Sequence, residues 1–318
     1  MRIAVLSNPT SHSNQAAMPG IRALLDGHPD VYHREIRAIT DVPPLLREWA
    51  RENLDLLVVN GGDGTIQAVM TDILNNKPFD HPVPLAVAPG GKTNMFAMDL
   101  GGMGKPHQVL TKIFALADSG AVPGRVTERA VVGLRRTPDE PEVFGTFFGT
   151  AAVVRGIEYC RAKVYPLGLP NIVSHAVACS IIAGGSLKRH HSPDSPFRAE
   201  EIGITLDDNE RLTGSYFLIL VSSLNRLILG MKPFVHTGAG HLNFLSVDHS
   251  PFKIFKAATT ALVLRPKEFL PRGTTCRRVD KVELHLDCPV TLDGEFFHPD
   301  PNRPVIVEGG RSLPFLEL

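Results

Sequence analysis

Cysteine is scarce in this chain. The 318 residues hold four, Cys160, Cys179, Cys276 and Cys288, with no C-x-x-C pair. Such scatter excludes a disulfide framework and fits a reducing compartment, so the expected setting is cytoplasmic. Net charge is missing too: 33 Lys and Arg balance 33 Asp and Glu. The balance removes any whole-chain attraction to phosphate-rich partners, and no nucleic acid is expected as a partner. Long apolar runs are absent. Tyr216 to Leu229 is broken by Ser222, Ser223, Asn225 and Arg226, and neither it nor His175 to Leu187 reaches the roughly 18 apolar residues of a membrane span. The opening Met1 to Pro9 is apolar too briefly for a signal segment. H-E-x-x-H, G-x-S-x-G and G-x-G-x-x-G do not occur, so zinc protease, serine hydrolase and Rossmann readings lack their basic elements.

What is present is an ordinary globular composition, 43% hydrophobic and 21% charged, in a length that suits two domains. Over the first 120 residues, short apolar runs alternate with helical patterns. Ile3 to Leu6, Asp55 to Val59 and Leu85 to Ala88 read as buried strands, and Asp41 to Glu52, Thr65 to Asn75 and Lys105 to Asp118 as helices. This alternation predicts a parallel sheet covered by helices. Beyond Gly120 the texture becomes β-rich. Arg125 to Arg136, Glu201 to Asp207, Leu212 to Ser222, His241 to Val247 and Val279 to Asp287 read as strands, with helices only over Asn171 to Ile182 and Pro251 to Leu264. The expected division is an α/β domain over 1–124 and a β-rich domain over 125–303. A loop is expected over Ser186 to Pro196.

The chemistry is concentrated at two glycine turns. Asp55-Leu56-Leu57-Val58-Val59-Asn60 runs into Gly61-Gly62-Asp63-Gly64-Thr65 and then a helix. Glycines at a strand-to-helix turn let backbone approach a phosphate, and the N–H groups of the first helical turn favour the anion. Asp63 would repel a bare phosphate, so it needs a cation or a hydroxyl to come with the ligand. Capping of the helix by Asp63 and Thr65 accounts for one polar residue but leaves the three glycines without a reason. The second turn, Pro89-Gly90-Gly91-Lys92-Thr93-Asn94, also follows an apolar strand. With Ala86 it is a loose Walker A match in which Lys92 reaches phosphates and Thr93 holds Mg²⁺; taken alone, it reads equally well as a glycine turn capped by Thr93.

Together with two further places, these segments resemble the diacylglycerol kinase catalytic domain family, the bacterial lipid kinases with their sphingosine and ceramide kinase relatives. Asn8-Pro9-Thr10-Ser11 matches the family's opening, with His12 in place of its glycine. Gly61 to Thr65 matches its nucleotide loop in full, although Gln67-Ala68 stands where relatives have Asn-Glu. Pro89, Gly91, Asn94 and Ala97 match the next loop, with Lys92 for Thr and Met95 for Asp. Asp293-Gly294-Glu295 matches the late acidic motif. Without the other motifs, Asp293-Gly294 reads as a hairpin turn.

The resemblance implies an ATP-dependent kinase of two domains, an NAD kinase/diacylglycerol kinase-like α/β domain and a β-rich acceptor domain with the nucleotide in a cleft between them. It implies that Pro304 to Leu318 returns to the first domain. Nucleotide-binding residues carried over are Asn8, Ser11, Gly61, Gly62, Asp63, Gly64, Thr65, Gly91, Lys92, Thr93 and Asn94. Asp293 is the candidate base. Glu295, read as lying on the same face of an extended segment, is assigned with Asp63 to Mg²⁺. The implied reaction carries the γ-phosphate of ATP to a diacylglycerol-like or long-chain-base-like hydroxyl, by a cytoplasmic protein peripheral to the membrane; a homodimer is compatible with it. The alternatives are an NAD kinase-like or 6-phosphofructokinase-like enzyme, or a nucleotide-binding regulatory module without catalysis. Lys188-Arg189-His190-His191 with Arg198 offers a basic loop for headgroups or a plain solvated one. Phe147, Phe148, Tyr159, Tyr165, Leu167 and Leu169 either line an acyl groove or pack in the core.

Overall fold

The computed structural model describes residues 1–137, 139–167, 198–227, 230–234, 237–248 and 274–318. They divide into two compact units, Met1–Ala130 with Arg311–Leu318, and Val131–Gly310. The helices expected over Asn171 to Ile182 and Pro251 to Leu264, the loop Ser186 to Pro196 with its basic cluster, and Leu169 lie outside the described residues.

In the first unit the order is β1 (Ile3–Ser7), α1 (His12–Asp26), β2 (Tyr32–Glu35), α2 (Val42–Trp49), β3 (Leu56–Gly61), α3 (Asp63–Asn76), β4 (Leu85–Pro89), α4 (Met95–Asp99) and α5 (Pro106–Asp118). The strands pair in parallel in the order β4-β3-β1-β2. Every residue of β1, β3 and β4 is buried, as in a parallel sheet covered on both faces. The edge strand β2 is largely exposed. Pro43 and Pro44 open α2, where missing N–H groups cost nothing. Helix α1 has no counterpart among the helices read from the sequence; it runs through Pro19-Gly20, burying Asn14, Met18, Ile21 and Leu25 at helical spacing. The core joins Met18, Ile21 and Leu25 to Val109, Leu110, Ile113 and Phe114 of α5. The end of the chain completes the unit. Phe315 pairs with Leu85 of β4 and meets the ring of Phe96 edge-on at 4.7 Å. Leu318 N–H donates to the Leu100 carbonyl at 2.8 Å. Buried Asp99 of α4 is ion-paired with Arg129, which also reaches Glu317 at 3.4 Å.

The second unit is strand-rich: β5 (Val126–Arg135, from residue 131 on), β6 (Val143–Gly145), β7 (Phe147–Ala151), α6 (Ala152–Tyr159), β8 (Glu200–Leu206), β9 (Glu210–Ser222), β10 (Leu242–Asp248), β11 (Thr274–Val279), β12 (Lys281–His285), β13 (Val290–Leu292), β14 (Glu295–Phe297) and the first half of β15 (Val305–Leu316). Among the described residues, β6 to β14 pair antiparallel with their neighbours. The first half of β9 pairs with β8, and its second half with β7 and β10. Two expectations change. The strand read over Val279 to Asp287 is β12 and starts at Lys281, because Val279 ends β11 and the two are parted at Asp280, whose carboxylate accepts the His241 N–H at 2.9 Å. The extended segment read through Asp293 is a hairpin turn, as the next section shows. Phe148 is fully buried in this unit's core and Phe147 nearly so, whereas Leu167 is exposed.

Candidate active site

β1, β3 and β4 are neighbours and parallel, so the loops leaving their carboxyl ends share one edge of the sheet, the edge where open α/β sheets take ligands. The loops are Asn8–Ser11, Gly61–Thr65 and Gly90–Asn94, and hydrogen bonds tie them together. Asn8 Nδ2 donates to Thr65 Oγ1 at 2.9 Å, and the Gly62 N–H to Ser11 Oγ at 3.1 Å. The Gly90 N–H donates to the Gly61 carbonyl at 2.9 Å. Asn8 Oδ1 in turn accepts the Thr10 N–H at 3.0 Å, closing a local turn.

The glycines are there because the loops leave no room for a Cβ. A Cβ on Gly91 would fall 2.7 Å from the Gly62 Cα, and one on Gly61 would fall 2.6 Å from the Thr65 Cβ. Asn94 fixes the third loop: Oδ1 accepts the Gly91 N–H at 2.7 Å and Nδ2 donates to the Gly91 carbonyl at 2.9 Å. Its left-handed backbone (φ 52°) suits Asn, which tolerates that region better than other side chains.

Asp63 is the first residue of α3. Part of its surface stays exposed, yet Oδ1 is buried and has no hydrogen-bond partner. Burial pushes the carboxyl up to about 6, against a smaller opposing effect of the Asn94 N–H that donates to it. The carboxyl sits deep in the loops although other parts of the residue are exposed, so desolvation governs. An orphaned carboxylate oxygen beside main-chain N–H groups of a helix N-terminus fits an anion that brings its own cation or hydroxyl. Among the described residues no three His, Cys, Asp or Glu side chains converge. Mg²⁺ would therefore take Asp63 as a protein ligand and draw most of its shell from phosphate and water, its usual habit. Lys92 is half-buried, and desolvation lowers its pKa. Gly64 and Thr93 are also part-exposed in these loops, while Thr65 is buried.

The second group of predicted residues belongs to the C-terminal unit. Asp293 and Gly294 form a two-residue turn between β13 and β14, with Leu292 opposite Glu295 and φ of 51° and 92°. Positive φ at both positions is the hairpin geometry that Asp-Gly favours. The Asp293 carboxylate accepts the Thr146 N–H at 2.9 Å, the Thr146 hydroxyl at 2.9 Å and the Phe147 N–H at 2.9 Å. Sequence reading did not find Thr146 or the main-chain N–H of Phe147 as partners of Asp293, since partners so far away in the chain carry no local signal. Glu295 is exposed at the start of β14 rather than extended in line with Asp293. Arg161 Nη2 donates to the Gly294 carbonyl at 2.7 Å, and its guanidinium lies 4.7 Å from the centroid of the Phe296 ring.

Among solved structures, the chain is similar to three from Bacillus anthracis str. Sterne that are assigned to the diacylglycerol kinases. Their TM-scores are 0.69, 0.65 and 0.61 at 17%, 16% and 15% identity, over 100% of this chain and 97% of each of theirs. At that identity the likeness establishes the fold: an α/β part followed by a strand-rich part. No curated protein matches the chain. Residues 2–122, the segment that carries all three glycine-turn loops, match the model of the diacylglycerol kinase catalytic domain.

Proposed function

We propose that the chain is an ATP- and Mg²⁺-dependent kinase that transfers the γ-phosphate to a lipid hydroxyl, diacylglycerol-like or long-chain-base-like, from a peripheral position on a membrane. The observation that supports it best is the convergence of Asn8–Ser11, Gly61–Thr65 and Gly90–Asn94 at the carboxyl ends of three adjacent parallel strands, within the segment that matches the kinase domain. No described helix is long and apolar enough to cross a membrane.

Phosphoryl transfer to a neutral hydroxyl passes through a loose transition state, so positioning and charge neutralisation matter more than strong nucleophile activation. In this reading the glycine main chains and the first turn of α3 hold the phosphates, with Lys92 adding positive charge. Mg²⁺, when bound, spreads the phosphate charge, with Asp63 as its protein ligand and Glu295 assigned to the same task. Asp293 receives the hydroxyl proton late. The donors from Thr146 and Phe147 fix its carboxylate in one orientation, which a base needs.

Two substitutions test these assignments. Asp293→Asn is expected to reduce turnover by about 100-fold, the upper range of a general base, while the KM for ATP stays within about twofold. Because Asn cannot accept all of the bonds from Thr146 and Phe147, the same variant melts earlier; full turnover would show that Asp293 only clamps the hairpin. Lys92→Ala removes one charge-assisted contact and is expected to raise the KM for ATP about tenfold, checked by initial rates at saturating lipid. Unchanged ATP affinity would make Lys92 a solvent-facing lysine.

The reaction itself is tested by incubating the protein with γ-labelled ATP, Mg²⁺ and a panel of diacylglycerol, monoacylglycerol, a long-chain base, phosphatidylglycerol and NAD. Label in the lipid phase supports the reading. Phosphorylated NAD as the sole product sinks it. Tight ATP binding without transfer to any acceptor favours a regulatory module, the outcome to which the loss of family carboxylates at Ala68 and Met95 would point.

A further inference from the structure

Beneath the three loops lies a side chain that the proposed transfer does not use. Asn14, near the start of α1, is fully buried on the stripe that otherwise holds Met18, Ile21 and Leu25. Its Nδ2 donates to the Asn8 carbonyl at 2.9 Å and to the Asn60 carbonyl at 3.1 Å. Asn8 opens the first loop, and Asn60 stands directly before Gly61 at the second. The third loop rests on the same amide, for a Cβ on Gly90 would fall 2.6 Å from Asn14 Nδ2. One buried amide thus joins two main chains and seats a third.

Ser11 and Ser13, beside Asn14 at the start of α1, hold the same loops. Ser11 Oγ takes the Gly62 N–H, the Ser13 N–H donates to the Gly90 carbonyl at 2.8 Å, and Ser13 Oγ donates to the Gly91 carbonyl at 2.8 Å. Core packing does not explain Asn14. Its Oδ1 is buried without a partner, which works against folding, and an apolar residue at this position would continue the stripe with no such penalty. Nor does it cap the helix, since the N-cap position belongs to Ser11. What the amide secures is the mutual register of three loops that leave no room for a Cβ at Gly61, Gly90 or Gly91.

We propose that Asn14 is a positioning residue for nucleotide phosphate: by holding Asn8, Asn60 and Gly90 in one register it sets the spacing of the N–H groups that receive the phosphates. This rests on the reading of the three-loop edge as the ATP site. Asn14 itself touches no substrate; it acts through the main chain of the loops.

The test compares wild type, Asn14→Ala and Leu25→Ala, a control on the same buried stripe but far from the loops, by thermal melting and by separate KM measurements for ATP and for lipid. Asn14→Ala is expected to raise the KM and Kd for Mg·ATP at least tenfold, the equivalent of about 1.4 kcal/mol, with the KM for lipid unchanged. Leu25→Ala is expected to melt earlier and to leave the KM for ATP within about twofold, because cavity formation acts on stability and not on the loops. If both variants keep wild-type ATP affinity below their melting range, Asn14 is merely structural and the proposal falls, while the ATP site stands. If wild type itself binds no ATP, the reading of the site falls and takes the proposal with it. Should Asn14→Ala fail to fold, Asn14→Ser, which keeps a single donor, carries the same test: a KM for ATP raised about threefold or more is expected from the loss of one of two neutral hydrogen bonds, and an unchanged value overturns the proposal.

Discussion

Asp63→Asn is expected to make the protein more stable and to remove its activity. Burial holds the Asp63 carboxyl at about 6 against an ordinary 3.8. The folded state therefore binds a proton more tightly than the unfolded one, and ionising the group as pH rises from 4 through 6 costs stability. Fully expressed, that cost is about 3 kcal/mol at neutral pH; with the residue part-exposed, roughly 2 kcal/mol is the better expectation. Asn matches the protonated acid in shape and carries no charge. The variant is thus expected to exceed wild type by about 2 kcal/mol at pH 7.5 without nucleotide, and the advantage should shrink as pH falls through about 6 and vanish only well below 3.8, where Asp63 is protonated in both states. Parallel denaturation curves at the two pH values give the answer. Turnover moves the other way, falling by about 100-fold or more, because the charge that would meet the metal and orient the phosphates is gone. Equal stability at pH 7.5 would mean that Asp63 is well solvated in the folded state, and unimpaired turnover would remove it from the site. A charge kept at such a cost has no explanation in folding.

Gly91→Ala is the second large effect. Its Cβ would lie 2.7 Å from the Gly62 Cα and 2.9 Å from Asn94 Oδ1. The first of these contacts is main chain and cannot rotate away, while carbon atoms at ease sit about 3.5–4.0 Å apart. The loops must part by close to an ångström, which strains the Gly90-to-Gly61 and Gly91-to-Asn94 hydrogen bonds. A stability loss of about 1–3 kcal/mol follows from overpacking of this kind. ATP affinity and turnover together should fall about 100-fold, the typical penalty for moving a positioning group by about 1 Å. Gly20→Ala is the control: no atom lies within 4 Å of the new methyl, and Ala in a helix is favoured over Gly by up to about 1 kcal/mol. If Gly91→Ala binds ATP as tightly as Gly20→Ala, the close approach of the loops has no part in nucleotide binding.

Much of this architecture was legible because the informative residues are local. A fully apolar run such as Leu56 to Val59, followed after Asn60 by three glycines and Asp63, announces a buried strand, a tight turn and a helix start. The same holds for Leu85 to Pro89 and Gly90-Gly91. Helix α1, with Pro19-Gly20 inside it, was not read from the sequence, and neither were the roles of Ser13 and Asn14. The one available signal was positional: Asn14 falls four residues before Met18 and seven before Ile21, a polar residue on an apolar stripe. In the strand-rich unit, three-residue strands such as β6, β13 and β14 are too short for a period to show. Asp293 was found through its motif, but its engagement by Thr146 and Phe147 spans 146 and more positions of sequence, where only the fold brings the groups together.

The central claim is that the edge formed by the three loops receives ATP phosphates on main-chain N–H groups. Amide hydrogen exchange with and without Mg·ATP tests it most directly. Slowed exchange is expected in peptides covering Gly61 to Thr65 and Gly90 to Asn94, together with Asn8 to Asn14 as α1 tightens on them, and the effect should be lost in Gly91→Ala. ATP binding that leaves exchange in all three segments unchanged would contradict the account.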